Sequence, residues 1–160
     1  MGDWTGTVPT FAAGAKVRGV DMQTLSDIDT ALTTAWTSFT PVFTAAGGSP
    51  AVGNGTISGE YRRLGKIVEY RGSFIFGSTS NAGTGEWYMS SPFTANLPDL
   101  VTGSGFLHDS GTSYYSCTCA MRSAATKLNF ITSATQVAAT TPFTWAAGDR
   151  IIWNVLFTTA

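Results

Sequence analysis

The chain has 160 residues and a mass of 16.8 kDa, enough for one domain with a sizeable core and a short appendage. Hydrophobic residues make up 43%, which excludes a disordered chain, while charged residues make up only 12% against roughly 25% in average soluble proteins. Nine Lys+Arg against ten Asp+Glu give a net charge of −1, without the basic excess of a nucleic-acid binder, and one histidine leaves little material for acid–base catalysis or a metal site.

Residues 1–20 read as an extended arm. Trp4, Val8, Pro9 and Phe11 are apolar without a helical period, and Gly14 and Gly19 interrupt them. The first residues have neither the basic nor the apolar region of a signal peptide. No run approaches the roughly 18 apolar residues of a membrane span. Synthesis in a cytoplasm without membrane insertion is the expectation.

Asp21 to Trp36 is predicted as the one helix, with Asp21 as its cap. Leu25, Ile28, Leu32 and Ala35 fall at spacings of three, four and three, a two-heptad stripe with Trp36 beside it. Thr24, Thr30, Thr33 and Thr34 lower its intrinsic propensity, so this short helix needs a partner. That partner is its own domain, a short multi-chain helix bundle, or another surface on which the helix docks.

Beyond Trp36 the apolar period is two. Ser38 to Ala45 reads as a short strand. Thr56 to Leu64 and Ile67 to Phe76 read as a long hairpin, in which Val68, Tyr70, Gly72, Phe74 and Phe76 form the core face and Glu69, Arg71 and Ser73 the solvent face. Glu86 to Ser90, Val101 to His108, Tyr114 to Met121, Lys127 to Ile131 and Arg150 to Phe157 follow as further strands. Seven or eight short strands bounded by Gly- and Pro-rich turns predict a mainly β fold, an antiparallel β-sandwich of jelly-roll type.

No catalytic set emerges. His108 and Asp109 are neighbours in an extended segment and point apart. Ser113 follows Gly111, but Gly-Thr-Ser-Tyr-Tyr lacks the second glycine of a nucleophile elbow. Cys117 and Cys119 lie two apart on one strand face and read as small buried hydrophobes, with spacing unsuited to zinc. Asn54-Gly-Thr is a formal glycosylation sequon without a secretory signal beside it. The expectation is no enzyme, no cofactor and no metal. Of the aromatics near loops and strand ends, Trp87, Tyr88, Tyr114, Tyr115 and Trp145 are candidates for surface recognition, with burial in the core or in a subunit interface as the plainer alternative.

Trp36-Thr-Ser-Phe-Thr-Pro-Val is followed by Val52-Gly-Asn-Gly-Thr-Ile-Ser-Gly-Glu-Tyr-Arg-Arg-Leu-Gly-Lys-Ile-Val, by Phe76-Gly-Ser-Thr-Ser, by Ser91-Pro92, and by Thr141-Pro-Phe-Thr-Trp-Ala-Ala-Gly-Asp. This series resembles minor tail and tail-fibre-like structural proteins of tailed bacteriophages infecting actinobacteria, over nearly the whole chain. The resemblance implies a virion component that forms a homotrimer. Residues 1–36 would attach it to other virion proteins, with Trp4, Phe11, Leu25, Ile28, Leu32, Ala35 and Trp36 at the attachment or oligomer interface. Residues 37–160 would form a projecting β head, for which a host cell-surface glycan is a candidate partner. A tail tip or short spike fits a chain with no long shaft. A capsid head-decoration or head-fibre protein is the alternative, and a free carbohydrate-binding module the third reading.

Overall fold

The computed structural model describes residues 13, 14, 16, 19–33, 35–96, 101–121, 126–133 and 135–159. A helix α1 (Gly19–Thr33) precedes nine strands. They are β1 (Thr37–Phe39), β2 (Phe43–Gly47), β3 (Thr56–Leu64), β4 (Ile67–Ile75), β5 (Thr84–Ser90), β6 (Val101–Asp109), β7 (Ser113–Met121), β8 (Lys127–Ile131) and β9 (Arg150–Thr158). All pair antiparallel in one sheet of order β1-β3-β4-β9-β6-β7-β8-β5-β2. The fold is mainly β and sandwich-like, and its two layers are parts of one continuous sheet curled into a half-barrel.

Three expected boundaries move. The helix begins at Gly19, so Asp21 lies inside its first turn and is not the cap. The helix ends at Thr33, whose hydroxyl donates back to the Asp29 carbonyl, so Ala35 and Trp36 lie beyond it. The single strand expected over 38–45 is two strands, split by a buried Pro41 that has no N–H to give a ladder.

That split closes the fold. β1 and β2 are the two edges of the sheet, yet Phe39 and Phe43 are four residues apart. A flat sheet of nine strands would hold its edges about 38 Å apart at about 4.8 Å per spacing. Four residues of extended chain reach at most about 14 Å. The sheet must therefore curl until its edges meet. Val42 extends the β2–β5 ladder by one pair, its N–H donating to Ser90 Oγ (2.8 Å) and its carbonyl accepting the Ser90 N–H (3.0 Å). The Tyr70 hydroxyl reaches from β4 to the Ser90 carbonyl (3.1 Å). Burial pushes the Tyr70 phenol well above its ordinary value, so it remains a donor.

The inner face carries the core. Val68, Tyr70 and Phe74 of β4 and Ile151, Trp153, Val155 and Phe157 of β9 alternate with exposed or half-exposed neighbours, as the period of two predicts. Phe43, Phe74, Phe76, Trp87 and Trp145 form a connected ring cluster, with Trp87 and Trp145 centroids 4.5 Å apart. Trp87 and Trp145 are therefore core residues and are removed from the recognition candidates. Their indole N–H groups are spent inside, on the Ala82 carbonyl (2.8 Å) and the Ala138 carbonyl (3.0 Å). Cys117 and Cys119 are buried free thiols on this face. Its hydrogen bond to the neighbouring Cys117 sulfur, then burial, push the Cys119 thiol up and leave it inert.

Trp153 sits in a slot made of missing side chains. One cross-strand row reads Gly59, Gly72, Trp153, Gly105, Cys117, from β3 to β7. Glycine thus flanks the indole on both neighbouring strands. A Cβ at Gly72 would lie 2.4 Å from the Trp153 ring and 2.6 Å from the Ser58 carbonyl oxygen.

Asp149 is a buried carboxylate just before β9. It accepts the Ser110 N–H (2.9 Å) and the Ala146 N–H (2.6 Å), joining the β6–β7 turn to the loop before β9. Asp149→Ala leaves both donors without that acceptor. The expected cost is about 2–4 kcal/mol, read as a lower midpoint in denaturant unfolding.

Candidate functional site

The outer face of β1, β3, β4, β9 and β6 holds an open trough of about 710 Å³. Two cross-strand rows flank the glycine row and make its walls. The first reads Ser38, Glu60, Arg71, Asn154, Ser104. The second reads Ser58, Ser73, Ile152, Phe106. Alternation puts all these side chains outward because the intervening row points into the core. At the middle level β3, β4 and β6 carry glycine, and the inward side chains there are Phe39 of β1 and Trp153 of β9.

The first wall is polar and cross-linked. Arg71 Nε donates to Glu60 Oε1 at 2.7 Å, and its guanidinium lies 3.8 Å from the Trp36 ring centre. Beside it Arg62 pairs with Glu69 at 2.7 Å and reaches the same ring at 5.0 Å. Asn154 Nδ2 donates to the other Glu69 oxygen at 3.3 Å. These ion pairs are solvent-exposed and add little stability. Their effect is to fix the side chains and cancel the charge of the wall.

The second wall ends in rings. Tyr114 is 65% exposed and stacks on both Phe106 (5.3 Å) and His108 (4.7 Å), backing the Phe106 ring at the trough's edge. The other recognition candidates are placed elsewhere. Tyr115 lies on the inner face, half-buried against Phe143 at 5.4 Å. Tyr88 is half-buried at the far end of the sheet, where its hydroxyl donates to Glu86 (2.8 Å). That bond, then burial, raise its phenol. Asn54 of the sequon spends its amide on Thr79 and Ser78.

A second surface lies around α1. Leu25 and Leu32 are exposed and Ile28 is half-exposed, so the predicted stripe is not covered by its own head. Leu32 (57% exposed) lines a cleft of about 270 Å³ with Leu64, Ile67 and Leu156 (59% exposed) of β3, β4 and β9. Ala35 is exposed, whereas Trp36 is half-buried on Arg62 and Arg71. Trp4 and Phe11 lie outside the described residues.

Trp36 thus pins the helix exit to the head. Each cation–π contact is worth about 0.5–1 kcal/mol. Trp36→Ala is expected to speed proteolytic removal of the segment before β1 several-fold, with the head's melting temperature nearly unchanged. Limited proteolysis followed by mass spectrometry measures it.

Sequence reasoning reached Tyr114, Arg71 and Ser73 but not the trough, because the rows exist only once strand registers are known. Among the described residues, no three His, Cys, Asp or Glu side chains group as metal ligands, and no helix is long and apolar enough to cross a membrane. Comparison with protein-family models, curated proteins and solved structures finds no significant match.

Proposed function

We propose that the chain is a non-catalytic structural subunit of a tailed-phage virion. It assembles as a homotrimer in which residues 1–36 attach to the particle and residues 37–160 form an outward β head at a tail tip or short spike. The observation that carries this reading is the uncovered stripe of α1. Leu25 and Leu32 on the helix and Leu64, Ile67 and Leu156 beside it leave large apolar side chains in water. Contiguous exposed apolar surface marks an interaction site. A second and third copy of the same helix cover such a stripe by heptad packing. A net charge of −1 opposes that association very little. The resemblance to actinobacteriophage minor tail proteins supplies the assembly in which such a trimer belongs.

Sedimentation equilibrium of the full chain tests the oligomer, with three times the chain mass expected and a monomer at micromolar concentration overturning it. Antibody labelling of purified particles tests the place. Label on the tail is expected, label on the capsid moves the subunit to head decoration, and no label removes it from the virion.

A further inference from the structure

We propose that the outer trough of the head is a binding site for a neutral oligosaccharide. The inference rests on reading residues 37–160 as the outward head, and it names the ligand class and the residues that take it.

The two walls differ in chemistry, and a sugar ring differs in the same way. One wall is hydroxyl, amide and a neutralised ion pair, in the order Ser38, Glu60, Arg71, Asn154, Ser104. It offers both donors and acceptors at fixed positions, because Arg71 is held between Glu60 and Trp36 and Asn154 is held on Glu69. The opposite wall turns apolar toward β6, where Ile152 and Phe106 stand side by side, each 40% exposed. A pyranose presents hydroxyls along its edge and C–H groups on its face. The hydroxyls pair with the first wall while the face rests on Ile152 and the Tyr114-backed ring of Phe106. A few placed polar groups beside an apolar platform is the usual composition of a small-ligand site.

Charge selects among sugars. Within the trough one arginine is matched by one glutamate at 2.7 Å, so the lining carries no net charge to reward an acidic polymer. Length selects too. From β1 to β6 the trough crosses four strand spacings, about 19 Å, the span of a short linear oligosaccharide rather than a monosaccharide. Its open form admits the middle of a chain.

The test titrates the full chain calorimetrically with short gluco-, manno-, galacto- and arabino-oligosaccharides, and with an oligogalacturonate of equal length as the charged counter-probe. At least one neutral series is expected to bind. Phe106→Ala and Ser104→Trp, both at exposed positions outside the core, are each expected to weaken it by more than about tenfold, with melting temperature and oligomer mass unchanged. The proposal is overturned if no neutral series binds at millimolar concentration, if the acidic oligomer binds as well, or if both variants bind like the parent. It is equally overturned if Ser104→Trp alters the oligomer, because the trough is then a contact between copies. A trimer that binds no sugar removes this site and leaves the virion reading. A sugar-binding monomer removes the trimer and leaves the site.

Discussion

Gly72→Val is expected to abolish folding of the head, or to lower its stability by more than about 3 kcal/mol. The position has no room for even one carbon, since a Cβ there meets the Trp153 ring at 2.4 Å and the Ser58 carbonyl oxygen at 2.6 Å. Real Cβ contacts do not come so close, so either the indole or the β3–β4 ladder must move. Trp153 is almost wholly buried, packing against Tyr70 (5.9 Å) and Phe130 (5.7 Å), and overpacking a dense core costs about 1–3 kcal/mol before any ladder bond is lost. Urea unfolding of Gly72→Val, Gly72→Ala and Gly72→Ala with Trp153→Phe measures the effect. The double variant is expected to recover part of the Gly72→Ala loss, since its smaller ring vacates some of the slot. Equal stability of Gly72→Ala and the parent overturns the account of the glycine row.

Leu25→Ser, Ile28→Ser and Leu32→Ser together are expected to convert the proposed trimer into a monomer while the head stays folded. Burying an aliphatic side chain of this size contributes about 1.5–3 kcal/mol, and three such residues act in each copy. Their loss moves assembly far out of the micromolar range. The head survives because, among the described residues, its core cluster lies in the strands and their connecting loops and includes none of α1. Sedimentation reports the mass and circular dichroism the retained β signal. An intact trimer after all three changes sinks the helix-mediated assembly.

Much of the fold is legible in the sequence because its strands alternate cleanly. Ile151, Trp153, Val155 and Phe157 are buried and Ile152, Asn154, Leu156 and Thr158 are exposed, which the period of two states directly. The hairpin Thr56–Ile75 turns at Gly65, whose φ of +59° is the left-handed conformation that the Leu64-Gly65-Lys66 pattern anticipates. Strand order is not legible. β9 lies between β4 and β6, and no local pattern in residues 150–158 identifies partners about 40 to 90 positions earlier. The trough depends on that order, so its lining residues read individually as ordinary solvent-face positions. Trp87 and Trp145 illustrate the converse. They stand near loops and strand ends, where rings often serve recognition, but sheet curling folds both inward.

The three residues between Phe39 and Phe43 also set how the molecule bears tension. If α1 is moored to a particle and the head is held by a cell, the pull meets the Trp36 contact with Arg62 and Arg71 and then β1, which pairs with β3 through only Thr37, Ser38 and Phe39. Strain there passes at once to β2 on the opposite margin, so the load is shared by both sides of the half-barrel before it reaches the nine-residue ladders of β3, β4 and β9.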